Sequence, residues 1–342
     1  MAKILALLLI LSLGEFAQAQ TAFYQGKTIT IVVGTKAGDA YDLYPRMLAE
    51  FMPKYIPGNP NIIIQNVPGA ASMIAANQVY NVARPDGLTL GAIYPALYFE
   101  QLTKKPEVKF DWTKFGWVGN PVTSNHLLYM RSDAPFKSMD DIRNASAAPK
   151  CGASGITSTG HYLPKLMEET LGTKFDIVLG YQAGQDVDLA VERGEVVCRA
   201  FTITAYFARE PFISWRKRGF VNTLMQSGAK RDARLKDAPT IYELMDKYKT
   251  NAAGRSLVKV VLSAGEFGRP LVVAPGVPPD RLKILRDAFD KSVNDPALLA
   301  TAEKRRLEMD PASGSELESL AKEVMAATPD VVQRMEKLLG GK

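Results

Sequence analysis

The 342-residue chain is 46% hydrophobic and 23% charged, ordinary values for a folded globular protein, and carries a net charge of +6. Its basic residues cluster only in short runs, Arg216-Lys217-Arg218 and Lys304-Arg305-Arg306, which read as solvated helix faces. No nucleic-acid partner is expected. Two cysteines and two histidines, with no HExxH, CxxC or clustered acid–His pattern, argue against a metal site, and no cofactor is expected.

The chain opens on MAKILALLLILSLGEFAQA. Lys3 supplies a positive start, Ile4 to Leu13 an apolar run too short to span a bilayer comfortably, and Ala17-Gln18-Ala19 a small-x-small cleavage pattern. Residues 1–19 therefore read as a signal peptide rather than a retained anchor. The mature, soluble protein starts near Gln20, outside the reach of cytoplasmic ATP or NAD.

Strand–turn–helix units follow. TITIVV (Thr28 to Val33) is a β-branched strand, GTKAGD a turn, and Leu43, Met47, Leu48 and Phe51 one face of a helix that Asp42 caps, which leaves Pro45 in the first turn. Asn61 to Gln65 is a strand, NVPGAAS a turn, and Ser72 to Val82 a helix capped by Ser72. Pro85-Asp86-Gly87 turns the chain into a strand over Leu88 to Ile93. Lys150 to Ala153 leads through SGITSTG into a helix with Ser158 as cap and Leu163, Leu166, Met167 and Leu171 on its apolar face. Phe175 to Leu179, GYQAGQD and a helix capped by Asp186 form another unit. Gly194 closes that helix before a strand over Val196 to Phe201. Pro270 to Ala274 is a buried strand, and helices at 280–294, 296–307, 315–327 and 329–339 end the chain. The alternation predicts an α/β protein with largely parallel sheets.

Four glycine-bearing turns, at 34–42, 66–72, 154–161 and 180–186, open into helix N-termini. Exposed N–H groups and the helix dipole suit such turns to anions. None has GxGxxG or GxxxxGK[ST] spacing, and the chain has no GxSxG elbow. Ser158 and His161 stand three apart at a helix start without an orienting acid. That spacing is capping chemistry before it is a catalytic pair. Cys151 and Cys198 fit either a disulfide or two buried thiols.

Several strings together resemble one family. The run from FYQGKTITIVVGTKAGDAYDLYP to NVARPDG, with CGASGITSTGHYLPKLMEETLG, IVLGYQAGQDVDLAVERGEV and APGVPPDRLKILRDAFDKSVNDPAL, resembles the Bug-type periplasmic receptors of tripartite tricarboxylate transporters. The resemblance covers nearly all of the mature chain, and the NxPGAxS turn is its most specific piece. It implies a two-lobed, periplasmic-binding-protein-like type II fold with two crossings. Lobe 1 would take residues 20–124 and 272–342, and lobe 2 residues 125–271. The lobes would close by hinge motion on a small carboxylate held by loop backbone, hydroxyls and waters rather than by an arginine clamp. A monomer in the periplasm of a Gram-negative cell would then present its ligand to inner-membrane permease subunits.

Carried over residue by residue, the resemblance assigns ligand contact to Lys36, Ala37, Gly38, Asp39 and Tyr41 on the first turn and to Gly69, Ala70, Ala71 and Ser72 on the second. On lobe 2 it assigns Thr157, Ser158, Thr159, Gln185 and Asp186. Asp39 and Thr157 replace family glycines, and Lys36 is unusual at its place. Asp39 repels an anion, pairs with Lys36, receives a ligand amine, or simply caps the helix. Tyr41, Tyr94 and Tyr98 either stack on a planar ligand or pack the core. A sensory module handing the ligand to a signalling partner, and a hydrolase using Ser158 and His161, are the competing readings.

Overall fold

The computed structural model describes residues 23–35, 37–38, 40–154, 158–181 and 184–339. The expected signal peptide, and Lys36, Asp39 and Thr157 of the expected site, lie outside the described residues. Among those described, eleven strands run in chain order: β1 (Thr28–Val33), β2 (Asn61–Asn66), β3 (Thr89–Ala92), β4 (Gly116–Asn120), β5 (His126–Arg131), β6 (Lys150–Gly152), β7 (Asp176–Val178), β8 (Cys198–Thr202), β9 (Val221–Gln226), β10 (Leu271–Val273) and β11 (Ala312–Ser313). The chain divides into two compact units. One runs to Thr123 and resumes over Phe267–Met325, and the other takes Ser124–Glu266 and everything from Ala326.

The first unit holds a six-stranded sheet in the order β11-β4-β10-β3-β1-β2. β1 lies parallel to both β2 and β3. Its β-branched residues Ile29, Ile31, Val32 and Val33 are buried on both faces, as expected of a strand covered by helices on each side. Tyr44, Met47 and Leu48 from the helix Ala40–Phe51, and Leu285, Ala288 and Phe289 from the helix Pro279–Val293, complete this core. A side chain on Gly119 of β4 would run into the Phe289 ring, so that position has to be glycine for the helix to seat. Burying Phe289 contributes about 2–3 kcal/mol. A second cluster stacks Trp117 on Phe267 at 5.0 Å and packs Trp112 and Tyr98 beside them.

The second unit holds a five-stranded sheet, β7-β6-β8-β5-β9. β6 is parallel to β7 and β8, whereas β5 is antiparallel to β8 and β9. Cys151 and Cys198 are register partners on β6 and β8 and form a disulfide, which decides between the two readings of the cysteines. Leu163, Leu166, Met167 and Leu171 of the helix Thr159–Leu171 are buried on the face that the periodicity predicts.

Two features differ from the sequence reading. The strands β4, β5, β9 and β11 have no counterpart in the sequence reading. With β10 they bring the antiparallel pairings, so each sheet is mixed rather than largely parallel. The helix Pro329–Leu338 also groups with the second unit, although the expected boundaries put it with the first. It buries Val331, Met335 and Leu338 there, and Arg334 pairs with Glu169 at 2.5 Å.

Candidate functional site

In the first unit β1, β2 and β3 are parallel, so the turns that follow them meet at one sheet edge, where open α/β sheets form crevices. Asp42 organises that edge. The helix begins at Ala40, so Asp42 sits in its first turn rather than at the N-cap. Its buried carboxylate accepts from the Gly38 N–H at 2.7 Å, Arg46 Nε at 2.6 Å and Asn66 Nδ2 at 2.8 Å. Asn66 Nδ2 also donates to the Thr35 carbonyl at 2.9 Å, which ties the end of β2 to the turn after β1. Burial alone would raise the Asp42 pKa. The hydrogen bonds from Arg46, Gly38 and Asn66 outweigh it and hold the carboxyl below its usual range.

The second turn is strained. Gly69 has φ 139°, and Ala70, Ala71 and Ser72 follow at 44°, 49° and 73°. Three successive non-glycine residues in the left-handed region cost roughly 1–2 kcal/mol each. Such strain persists only where the surroundings over-determine it, typically at ligand clamps. Ala70 and Ala71 are exposed, whereas Ser72 is 1% exposed. Ser72 stands at the N-cap of the helix Met73–Asn81, but its side chain makes no capping bond. Its Oγ accepts instead from the Tyr94 N–H at 3.2 Å. The Tyr41 and Tyr94 rings meet at 4.5 Å, with the Arg269 guanidinium 5.1 Å from the centre of Tyr41. Tyr98 belongs to the core.

In the second unit the turns after β6, β7 and β8 likewise share one edge. Ser158 is the N-cap of its helix. Its carbonyl accepts from the His161 and Tyr162 N–H groups, and its side chain makes no capping bond. The helix start presses close to the sheet, since a Cβ on Gly160 would stand 2.9 Å from the Gly152 carbonyl oxygen. Beside it opens a cavity of about 410 Å³ whose walls include Ser158, Thr159, Thr202, Phe201, Arg199 and Arg209. Arg199 donates to the Gly184 carbonyl at 2.8 Å and pairs with Asp188 Oδ1. Arg209 pairs with Asp188 Oδ2 at 3.1 Å. The Tyr129 hydroxyl reaches the same carboxylate at 3.4 Å. Burial, and then the Asp188 charge, push that phenol well above its ordinary pKa. Asp186 falls in the first turn of the helix Gly184–Arg193, not at its cap. Gln185 and Asp186 are both exposed and do not line this cavity.

Among the described residues no group of three His, Cys, Asp or Glu side chains is placed to hold a metal ion, and no helix is long and apolar enough to cross a membrane.

The family model of the tripartite tricarboxylate transporter family receptor matches residues 45–337. The chain belongs to that family. A Cupriavidus necator protein described as a UPF0065 protein in the gbd 5′ region is 29% identical to the receptor over 285 residues, 82% of this chain and 79% of the other. A crystal structure of a TctC solute-binding protein from Polaromonas matches with a TM-score of 0.73 at 20% identity, covering 91% of this receptor and 99% of that chain. The R. palustris protein Rpa4515 with adipate matches with a TM-score of 0.53 at 19% identity, covering 92% and 97%. The receptor therefore has the α/β fold of solute-binding proteins.

Sequence reasoning missed Thr35, Arg199 and Arg209. The Thr35 hydroxyl is buried in the first turn with no hydrogen-bond partner among the described residues. Arg199 carried a signal, being a charged residue inside the strand-like run VVCRAF of the receptor. Arg209 carried none, because surface and cavity arginines look alike in a string.

Proposed function

We propose that this receptor works in the periplasm, where it captures a small carboxylate without chemical turnover and delivers it to the permease of a tripartite tricarboxylate-type transporter. The cavity at the start of the helix Thr159–Leu171 carries the reading, because it combines hydroxyls, a helix N-terminus and cationic side chains in a space sized for a small molecule. Family membership supports it, and so does the adipate named with the R. palustris neighbour.

In this proposal one ligand is engaged by turns of both units. Lys36, Ala37, Gly38, Asp39, Tyr41 and Gly69 to Ser72 serve from the first, Thr157 to Thr159 with Gln185 and Asp186 from the second. The strained 69–72 turn supplies preset backbone donors, with the Ser72 hydroxyl acting as its internal brace. A ligand that makes contacts from both units favours the conformation in which both are made, and that differential affinity is the signal a permease would read.

The test is a thermal-shift panel of di- and tricarboxylates, amino acids and aromatic acids on the mature chain. A true ligand at a hundredfold excess over its Kd adds about 2.7 kcal/mol of stability. A panel with no stabilising carboxylate overturns the reading, and so does consumption of any panel member on incubation.

A further inference from the structure

Resting on that reading, we propose that Arg209, backed by Arg199, makes this receptor selective for dianionic acids by taking the second carboxylate of the ligand. The two guanidiniums share a single carboxylate, Asp188, whose side chain is 3% exposed, and this leaves one positive charge in excess on the cavity wall. No acidic residue is among the described residues lining that cavity. A net cation in a partly desolvated wall is costly until an anion answers it.

The two arginines are not equivalent. Arg199 is 12% exposed, is held by the Gly184 carbonyl and Asp188, and lies 4.8 Å from the Phe201 ring centre. A side chain on Gly184 would run into its guanidinium, so the start of the helix Gly184–Arg193 is shaped around it. Arg199 is thus a fixed part of the wall. Arg209 is 33% exposed, gives Nη2 to Asp188 and rests on Phe212 at 5.0 Å. Its planar fork has five N–H donors, and the flat aromatic support orients it without using them up. A carboxylate reaching Arg209 would gain a charge-assisted contact in a pocket whose walls also include Ser158 and Thr159 at the positive end of a thirteen-residue helix. One acid group at the helix start and one at Arg209 describes a short α,ω-diacid. A monoacid leaves the arginine unanswered.

Isothermal titration of the full mature protein with succinate, glutarate and adipate, each against its monomethyl ester, tests this. The wild type should bind at least one diacid ten times or more tighter than its ester. Arg209→Met should weaken that diacid by about tenfold to a hundredfold, the range for losing a hydrogen bond to a charged group, and change the ester less than threefold. Arg209→Lys, which keeps the charge and loses the fork, should fall between. It also carries the test should the methionine variant fail to fold, because diacid affinity equal to the wild type with Lys, or equal losses for diacid and ester, overturns the proposal. Equal affinity of the wild type for diacid and ester overturns it too and leaves the carboxylate-receptor reading standing. Binding of no acid and no ester defeats both.

Discussion

The hydroxyl of Ser72 occupies the space in which a side chain on Gly34 would stand; a Cβ built there would also lie 3.1 Å from the Ser72 Cα. This steric interlock joins the turns after β1 and β2 in addition to the hydrogen bonds that Asn66 gives to Thr35 and Asp42. Gly34→Ala should push the 69–72 turn outward and cost about 1–3 kcal/mol, the usual range for overpacking. Ser72→Gly, at φ 73° where glycine is unstrained, removes the colliding group. The double variant Gly34→Ala/Ser72→Gly should therefore recover part of the loss, seen as a shift in urea midpoint at constant slope. Strictly additive losses in the two single variants would show that the contact is not what holds the turns.

Asp42 makes a second, pH-readable prediction. Every partner its carboxylate takes here is a donor: the Gly38 N–H, Arg46 Nε and Asn66 Nδ2. Asp42→Asn turns an NH₂ toward donors and should cost about 1–3 kcal/mol near neutral pH. Arg46 is 43% exposed, so the ion pair itself contributes less than the buried hydrogen bonds. The folded pKa lies below the ordinary 3.8, so below that value the unfolded state takes up a proton first. The stabilisation is complete above pH 3.8 and is lost as pH falls through the folded value. The stability gap between wild type and Asp42→Asn should hold from pH 7 to about 5 and narrow in more acidic solution. A gap that widens on acidification contradicts this account.

The strands β1, β2, β6 and β7 were legible because a β-branched or apolar run, a glycine turn and a 3.6-residue periodicity follow one another there, and β3, β8 and β10 were legible from their apolar runs. β4, β5 and β9 lack that sequel. Gly116–Asn120 reads GWVGN, whose two glycines lower its strand signal, and the reason for them lies on another element, in the Phe289 ring and the side chains of Val273 and Leu282. The turns themselves were legible, but the work of their residues was not. Asp42 and Ser72 looked like helix caps because both types favour caps. Tertiary partners decided otherwise: Asn66 and Gly38 drew the carboxylate of Asp42, and the Tyr94 N–H drew the hydroxyl of Ser72. The arginine wall was invisible for the same reason, since Arg199 and Arg209 acquire their meaning from Asp188 and from the cavity they line.

The Cys151–Cys198 disulfide joins strand neighbours separated by 47 residues in sequence. Closing a loop of that size in the unfolded chain stabilises the fold by about 2–4 kcal/mol. The bond also pins β6 to β8, the strands that carry the start of the helix Thr159–Leu171 and Arg199. Replacing both cysteines by alanine should lower the urea midpoint accordingly. A midpoint unchanged by the substitution and by dithiothreitol would mean that the cross-link contributes nothing.

The last prediction separates stability from affinity in the 69–72 turn. Ala70 and Ala71 are exposed and both lie at positive φ, where glycine carries no Cβ penalty. Replacing both by glycine relieves strain worth roughly 1–2 kcal/mol per residue and adds unfolded-chain entropy of about 0.5–1 kcal/mol each, so net stability should stay level or rise slightly. If the strain instead keeps backbone donors aimed at a ligand, the looser loop must be ordered on binding. Affinity for the tightest carboxylate in the panel should then drop by about threefold to thirtyfold, the cost of ordering a few residues. Unfolding midpoints and calorimetric affinities on the same double variant should therefore move independently: a steady or higher midpoint with weaker binding marks a turn held strained for its ligand. A lower midpoint with unchanged binding would assign the strain to folding alone.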